Sequence, residues 1–215
     1  MSSMSFTYYF WYTLSKIVAR FFFSFKVIHP ERMLEEGPLI LASNHQSYFD
    51  PPLVGICSRR GVYYLARKTL LQIPLLGKLL PQINVILVDR DGNDMSALKS
   101  VIRTVKSGNG VVLFPEGTRS VDGSLQPGKA GIGLVIAKTR APVQPVRIFG
   151  SYEAFPKGSD KISLTPITVV VGKPLRFTDA DLDPDPHRGD ERALYQYLSD
   201  RVMAAIAELQ LPEKF

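Results

Sequence analysis

Three histidines occur in the chain, His29, His45 and His187. Only His45 stands just past a run that reads as a buried strand, PLILA at 38–42. Five residues later stands Asp50. Residues five apart do not share a helix face, so a contact between them needs a loop that folds back. In such a loop the carboxylate meets one ring nitrogen, sets the tautomer and leaves the other nitrogen as a base. The plain alternative is a histidine bonded to a backbone carbonyl, with Asp50 capping the next helix, since Asp50-Pro51 is a helix-start signal. The chain has no Gly-x-Ser-x-Gly elbow. A His–Asp pair without a protein nucleophile would act on a hydroxyl of the substrate itself.

The string FPEGTRS, 114–120, follows a second apolar run, GVVLF. Gly117 permits a tight turn and close ligand approach. Arg119 suits two-point recognition of a phosphate. Glu116 would hold the turn by accepting backbone or side-chain donors. The alternative is a strand-end turn whose charges are merely solvated. Arg90, after the apolar run 83–88 and Asp89, allows the same two readings.

These residues need elements to place them. The runs 38–42, 62–65, 83–88, 110–114, 143–148 and 162–171 predict strands. Periodic segments predict helices at 95–105, at 130–139 and from Leu194 to Leu209, with short helical turns at 73–80. Alternating β and α patterns imply an α/β fold with a largely parallel or mixed sheet flanked by helices. Sites in such folds form outside the carboxyl ends of the strands. His45 with Asp50, Asp89 with Arg90, and Glu116 with Thr118 and Arg119 all stand there.

The chain has 215 residues, 45% hydrophobic and 21% charged, which suits one domain with an appendage and excludes a disordered chain. A lone cysteine, Cys57, excludes a disulfide framework or a Cys-rich zinc site and points to a reducing compartment. The net charge of +6 favours anionic partners. Residues 1–30 hold ten aromatics, three cations (Lys16, Arg20, Lys26) and no acid. The apolar stretch 6–28 is long enough to cross a bilayer, but two cations near its centre make a span costly. On a helix, Tyr9, Thr13, Lys16, Arg20 and Ser24 form a narrow polar stripe; Phe10, Leu14, Ile17, Val18, Phe21 and Phe25 cover the rest. That pattern favours a helix lying in the membrane interface over a span or a core helix. A secretory signal fits poorly, for no cation precedes the apolar run. The expected division is a membrane-associated helix at 1–28 and an α/β domain at 29–215.

In this order NHQSYFD, VDR, FPEGTRS and APVQPV resemble the four blocks of the glycerolipid acyltransferase family, most closely its lysophosphatidate acyltransferase branch. The resemblance covers about residues 26–175. It implies that His45 is the general base and Asp50 its orienting partner, and that Arg119 binds the acceptor's phosphate with Arg90 and Lys68. Asn44, Glu116, Gly117, Thr118 and Pro142 match motif positions; Pro142, Val143 and Pro145 belong to a block linked to donor or membrane placement. The second block departs from the family pattern at Asn84 and Leu87. The implied reaction is direct acyl transfer from acyl-CoA or acyl-carrier-protein to a lysophospholipid hydroxyl. Backbone donors near Asn44-His45 or Gly117 would stabilise the oxyanion. Neither a metal nor a resident cofactor is implied. The implied partners are an anionic membrane surface, the lysophospholipid and the acyl donor; the implied location is peripheral, on the cytoplasmic face of the cell membrane. The alternatives are another lysolipid acceptor, such as a lyso-ornithine lipid or glycerol 3-phosphate, and a non-catalytic lipid-binding protein of the same fold. Nucleic acid fits poorly, because the aromatics cluster in an apolar helix rather than interleaving with cations.

Overall fold

The computed structural model describes residues 5–88, 95–183 and 189–212. In chain order the elements are α1 (Phe6–Phe23), β1 (Lys26–Ile28), β2 (Leu39–Ser43), α2 (Asp50–Gly55), β3 (Val62–Arg67), α3 (Pro74–Leu79), β4 (Val85–Val88), α4 (Met95–Lys106), β5 (Gly110–Leu113), α5 (Ala130–Thr139), β6 (Val143–Phe149), α6 (Ser151–Ala154), β7 (Thr168–Val171) and α7 (Glu191–Ala207). The strands form one mixed sheet in the order β1-β7-β6-β2-β5-β3-β4. From β6 to β4 all neighbours are parallel. β7 runs antiparallel to β6, and β1 runs parallel to β7.

β2 explains the layering. All five of its residues are buried, and alternate side chains point to opposite faces. Leu39 and Leu41 join a core with Leu53 and Val54 of α2 and with Ala19 and Phe23 of α1. Ile40 and Ala42 join the opposite core, with α4, α5 and α7. After β2 the chain departs towards β3 and β4, and later returns through β5 to β6 on the other side of β2. That reversal opens a crevice at the carboxyl ends of β6, β2 and β5.

The expected strand 162–171 is shorter, since only Thr168–Val171 pairs. Pro166 has no N–H for a ladder, and the backbone bonds before it go elsewhere. Ser163 N–H donates to Ala154 O at 2.8 Å and Ile167 N–H to Phe23 O at 2.9 Å.

Helix α1 is capped by Ser5, which accepts from Tyr8 N–H, and ends at Ser24 in the left-handed region. One face is core: Tyr8, Ala19 and Phe23 are buried. The Tyr8 hydroxyl accepts from Val62 N–H at 3.1 Å and bonds the Tyr64 hydroxyl at 3.0 Å, so the helix reaches β3 at one end and leads into β1 at the other. The opposite face exposes Phe6, Phe10, Leu14, Ile17 and Phe21, with Tyr9, Lys16 and Arg20 exposed along one flank. Phe25, expected on the outer face, is instead buried, because Ser24 turns the chain inward before it. The division at residues 28 and 29 falls at the end of β1, a strand of the same sheet. Among the described residues no helix is long and apolar enough to cross a membrane.

Gly150, between β6 and α6, has φ +83°, and a Cβ there would meet Pro166 O at 2.1 Å. Gly108 has φ +84° with open space around it. Gly150→Ala should cost at least about 2 kcal/mol, because backbone must move; Gly108→Ala should cost only about 1 kcal/mol of backbone strain. Thermal melting of the two variants checks this, and equal losses would refute the steric account.

Candidate active site

Three neighbouring strands deliver the site from their carboxyl ends. β2 runs into Asn44-His45, β5 into the 114–120 loop and β6 into Gly150-Ser151. Asn44 continues the pairing of β2 with β6 through its side chain. Its Oδ1 accepts from Ile148 N–H at 2.8 Å, and its Nδ2 donates to Ile148 O at 3.1 Å. The main chain of residue 44 is thus released to turn while its neighbour strand stays satisfied.

Beyond that turn the chain folds back as the spacing required. His45 Nδ1 lies 2.9 Å from Asp50 Oδ2. A carboxylate only accepts, so Nδ1 carries the hydrogen and Nε2 presents a lone pair. The side chain is 18% exposed, unlike the fully buried Asp50 behind it. Phe114 stacks on the ring at 4.0 Å and 18° and fixes its plane.

Asp50 does not cap its own helix. It is the first residue of α2 and its carboxylate points backwards. Oδ2 also accepts from Gln46 N–H at 2.6 Å and Ser47 N–H at 2.7 Å, while Oδ1 accepts from the Ser151 hydroxyl at 2.7 Å. With His45 these make four donors on a side chain that has no exposure. A buried carboxylate is tolerable only when satisfied in this way. Gln46 braces the far side, its Nε2 reaching Ile148 O and the Ser151 hydroxyl.

The 114–120 loop clamps the backbone of His45 on both sides. Glu116 Oε1 accepts from His45 N–H at 3.2 Å, and Ser120 N–H donates to His45 O at 2.7 Å. Glu116 is buried, and its Oε2 has no hydrogen-bond partner. Burial pushes its carboxyl up to about 7 and the nearby charge of Asp50 adds to the rise, while the amides of His45 and Gln126 pull the other way. Gly117 adopts φ +69° and its N–H bonds Phe114 O, at 3.0 Å. The amides of His45 and Gly117 are therefore both committed to bonds within the fold.

Arg119 is half-buried, and the centre of its guanidinium lies 3.5 Å over the Tyr48 ring. Its Nη1 is buried without an acceptor. A guanidinium with a buried, unsatisfied donor, packed on the turn that carries His45, is a ready anion site. Thr118 is exposed. Lys68, also exposed, follows β3 on the same edge of the sheet, beyond β5. Asp89 and Arg90 lie outside the described residues. Pro142 stands at the opposite end of β6 from His45, where its carbonyl accepts from Ile40 N–H at 3.1 Å. Its part is to start the pairing of β6 with β2, and it does not reach the site. Among the described residues no cluster of ligating side chains could hold a metal.

Sequence reasoning missed Ser151, Tyr48 and Phe114 as site residues. Ser151 carried a readable signal, for it stands just past the carboxyl end of a predicted strand. The two rings carried none, because their faces are set by contacts distant in sequence.

A family model described as Acyltransferase matches residues 24–149. A 1-acyl-sn-glycerol-3-phosphate acyltransferase, chloroplastic, of Brassica napus is 35% identical over 71% of this chain and 45% of its own length. Its namesake from Bacillus subtilis is 28% identical over 82% of this chain and 85% of its own. The chain spans about half the length of several of the curated relatives it matches. The fold is that of a solved 1-acyl-sn-glycerophosphate acyltransferase, PlsC, from Thermotoga maritima, with a TM-score of 0.71, 24% identity and coverage of 95% of this chain and 81% of that one.

Glu116 links the site to pH. Its carboxyl titrates near 4.5 when free and at about 7 in the fold. Below 4.5 both states are protonated. As pH rises, the unfolded chain loses its proton first, so stability declines until Glu116 ionises near 7, by roughly 3 kcal/mol in all. Glu116→Gln keeps an oxygen for His45 N–H and removes the titration. Melting curves from pH 5 to 8 should show the variant gaining on the parent as pH rises; parallel curves would refute the assignment.

Proposed function

The chain belongs to the Acyltransferase family, and from that premise we propose that it acylates the free hydroxyl of 1-acylglycerol-3-phosphate to give phosphatidic acid. The observation that carries this reading is the His45 ring, held through Nδ1 by buried Asp50 so that Nε2 is the acceptor, together with Arg119 on the neighbouring 114–120 loop, whose Nη1 is buried without a partner. Nε2 takes the proton of the acceptor hydroxyl. The oxygen attacks the thioester carbonyl of an acyl-CoA or acyl-carrier-protein, a C–O bond forms, and the tetrahedral intermediate collapses with loss of the C–S bond. The departing thiolate recovers the proton from His45. Asp50 holds the ring through the cycle and favours the imidazolium that forms. Arg119 grips the phosphate and so sets the distance from hydroxyl to base. Lys68 adds positive charge at the same edge of the sheet, and the resemblance gives Arg90 a like part. The thioester is a co-substrate, and the step calls on no resident cofactor or metal.

We further propose that the protein is peripheral and lies on the cytoplasmic face of the membrane, with α1 as its lipid-facing surface. Phe6 is 87% exposed and Phe21 81%, on the face turned away from the core. Lys16 and Arg20 flank that face at headgroup level. A lipid acceptor and a lipid product both suit a site that sits against the bilayer.

A thiol-release assay with palmitoyl-CoA and a panel of lysolipids, with and without phosphate, tests the reaction. Lysophosphatidate should be preferred, and release equal across the panel would refute it. His45→Ala should lower kcat by about 10²–10⁴, and near-normal turnover in the folded variant would sink the mechanism. For the membrane reading, Phe10→Ser, Ile17→Ser and Phe21→Ser together leave the core face of α1 intact. Liposome sedimentation should fall at least about tenfold, since each inserted side chain is worth about 1.5–3 kcal/mol, while the melting temperature holds.

A further inference from the structure

Tyr48 lies between His45 and Asp50 in the chain, yet the acid–base step gives it nothing to do. Its ring is 49% exposed, a large apolar surface at the rim of the site. The centre of the Arg119 guanidinium lies 3.5 Å over it, too close for the group to stand on edge against the ring. A guanidinium carries its five N–H donors in its plane and none on its face. Stacking therefore orients the fork without using any donor. Among the described residues no carboxylate forms an ion pair with Arg119. A carboxylate would also orient the fork, but it would occupy the donors and cancel the charge that an anionic ligand needs.

The platform is itself held. Tyr48 leans on Phe155 at 5.1 Å, Phe155 on Phe49 at 5.2 Å, and Phe49 on Phe23 of α1 at 5.2 Å. The Ser47 hydroxyl donates to Phe155 O at 2.8 Å and pins the turn to the segment after α6. An arginine without such a plane would lose considerable side-chain freedom on binding.

We propose that Tyr48 is a positioning residue, which holds the Arg119 guanidinium edge-on to the acceptor's phosphate and so sets the preference for phosphate-bearing over uncharged acceptors. This rests on the reading of Arg119 as the phosphate-binding group. The ring does this work; the hydroxyl makes no hydrogen bond among the described residues.

The test uses the full chain with detergent-dispersed lysophosphatidate or monoacylglycerol and palmitoyl-CoA, each variant first shown to melt as a folded protein. Tyr48→Leu should raise the KM for lysophosphatidate about 3- to 30-fold, the span of a stacked cation on an aromatic ring. The KM for palmitoyl-CoA should hold, and the kcat/KM preference for lysophosphatidate over monoacylglycerol should narrow by the same factor. Tyr48→Phe should restore most of the parental KM. In an Arg119→Ala background Tyr48→Leu should add less than about twofold, because a residue that acts through another has nothing left to act on. An unchanged acceptor KM in Tyr48→Leu, equal damage from Tyr48→Phe, or a full effect without Arg119 would each overturn the proposal. If Arg119→Ala alone leaves the acceptor KM unmoved, the phosphate reading itself falls, and that result is distinct from the other three.

Discussion

A fully buried carboxylate must be paid for, and Asp50 is the charge around which this molecule is arranged. Its four donors come from the His45 ring, two amides of the turn that follows it, and a hydroxyl from the end of another strand. Removing any one would leave a buried acceptor short by about 1–3 kcal/mol. The turn after β2 therefore has one low-energy shape, and β6 must end beside it. The parallel order β6-β2-β5 meets that demand, and the same order brings the loop whose Glu116 and Ser120 grip the main chain of His45. The fixed orientation of the His45 ring follows from electrostatic necessity at its neighbour.

The exposed apolar face of α1 is tied to this centre through rings. α1 is half core and half exposed, so an element that faces outward with phenylalanines also supplies Phe23 to the aromatic series ending at Tyr48 and Arg119. Helices that only rest on a membrane can be appended to a domain. This one is built into the wall of the domain, and its Tyr8 hydroxyl bonds the first residue of β3.

Local chemistry was readable from the residues. The turn at His45, the strand before it, the helix at 130–139 and the FPEGTRS turn all came from patterns within ten residues, and each stands where the pattern put it. What escaped depended on partners far along the chain. Ser151 meets Asp50 only because β6 lies beside β2. Phe25 turns inward, unlike Phe21, because Ser24 adopts a left-handed conformation that no periodicity announces. The segment 162–167 looks like a strand until its amides are traced to Ala154 and Phe23. Pro142 matches a motif block, as His45 and Arg119 do, but stands at the other end of the sheet.

Chain order also gives the edge of the sheet a timetable. Lys26–Ile28 has no strand to join until Thr168–Val171 exists, and β7 in turn needs β6. During synthesis the aromatic helix emerges before the parallel strands, and β1 waits for its partner while they are made. Pairings so distant in sequence are the slow ones to form. Through that interval β1, joined to the exposed apolar face of α1, keeps an unpaired strand edge, the arrangement that most invites pairing with another chain.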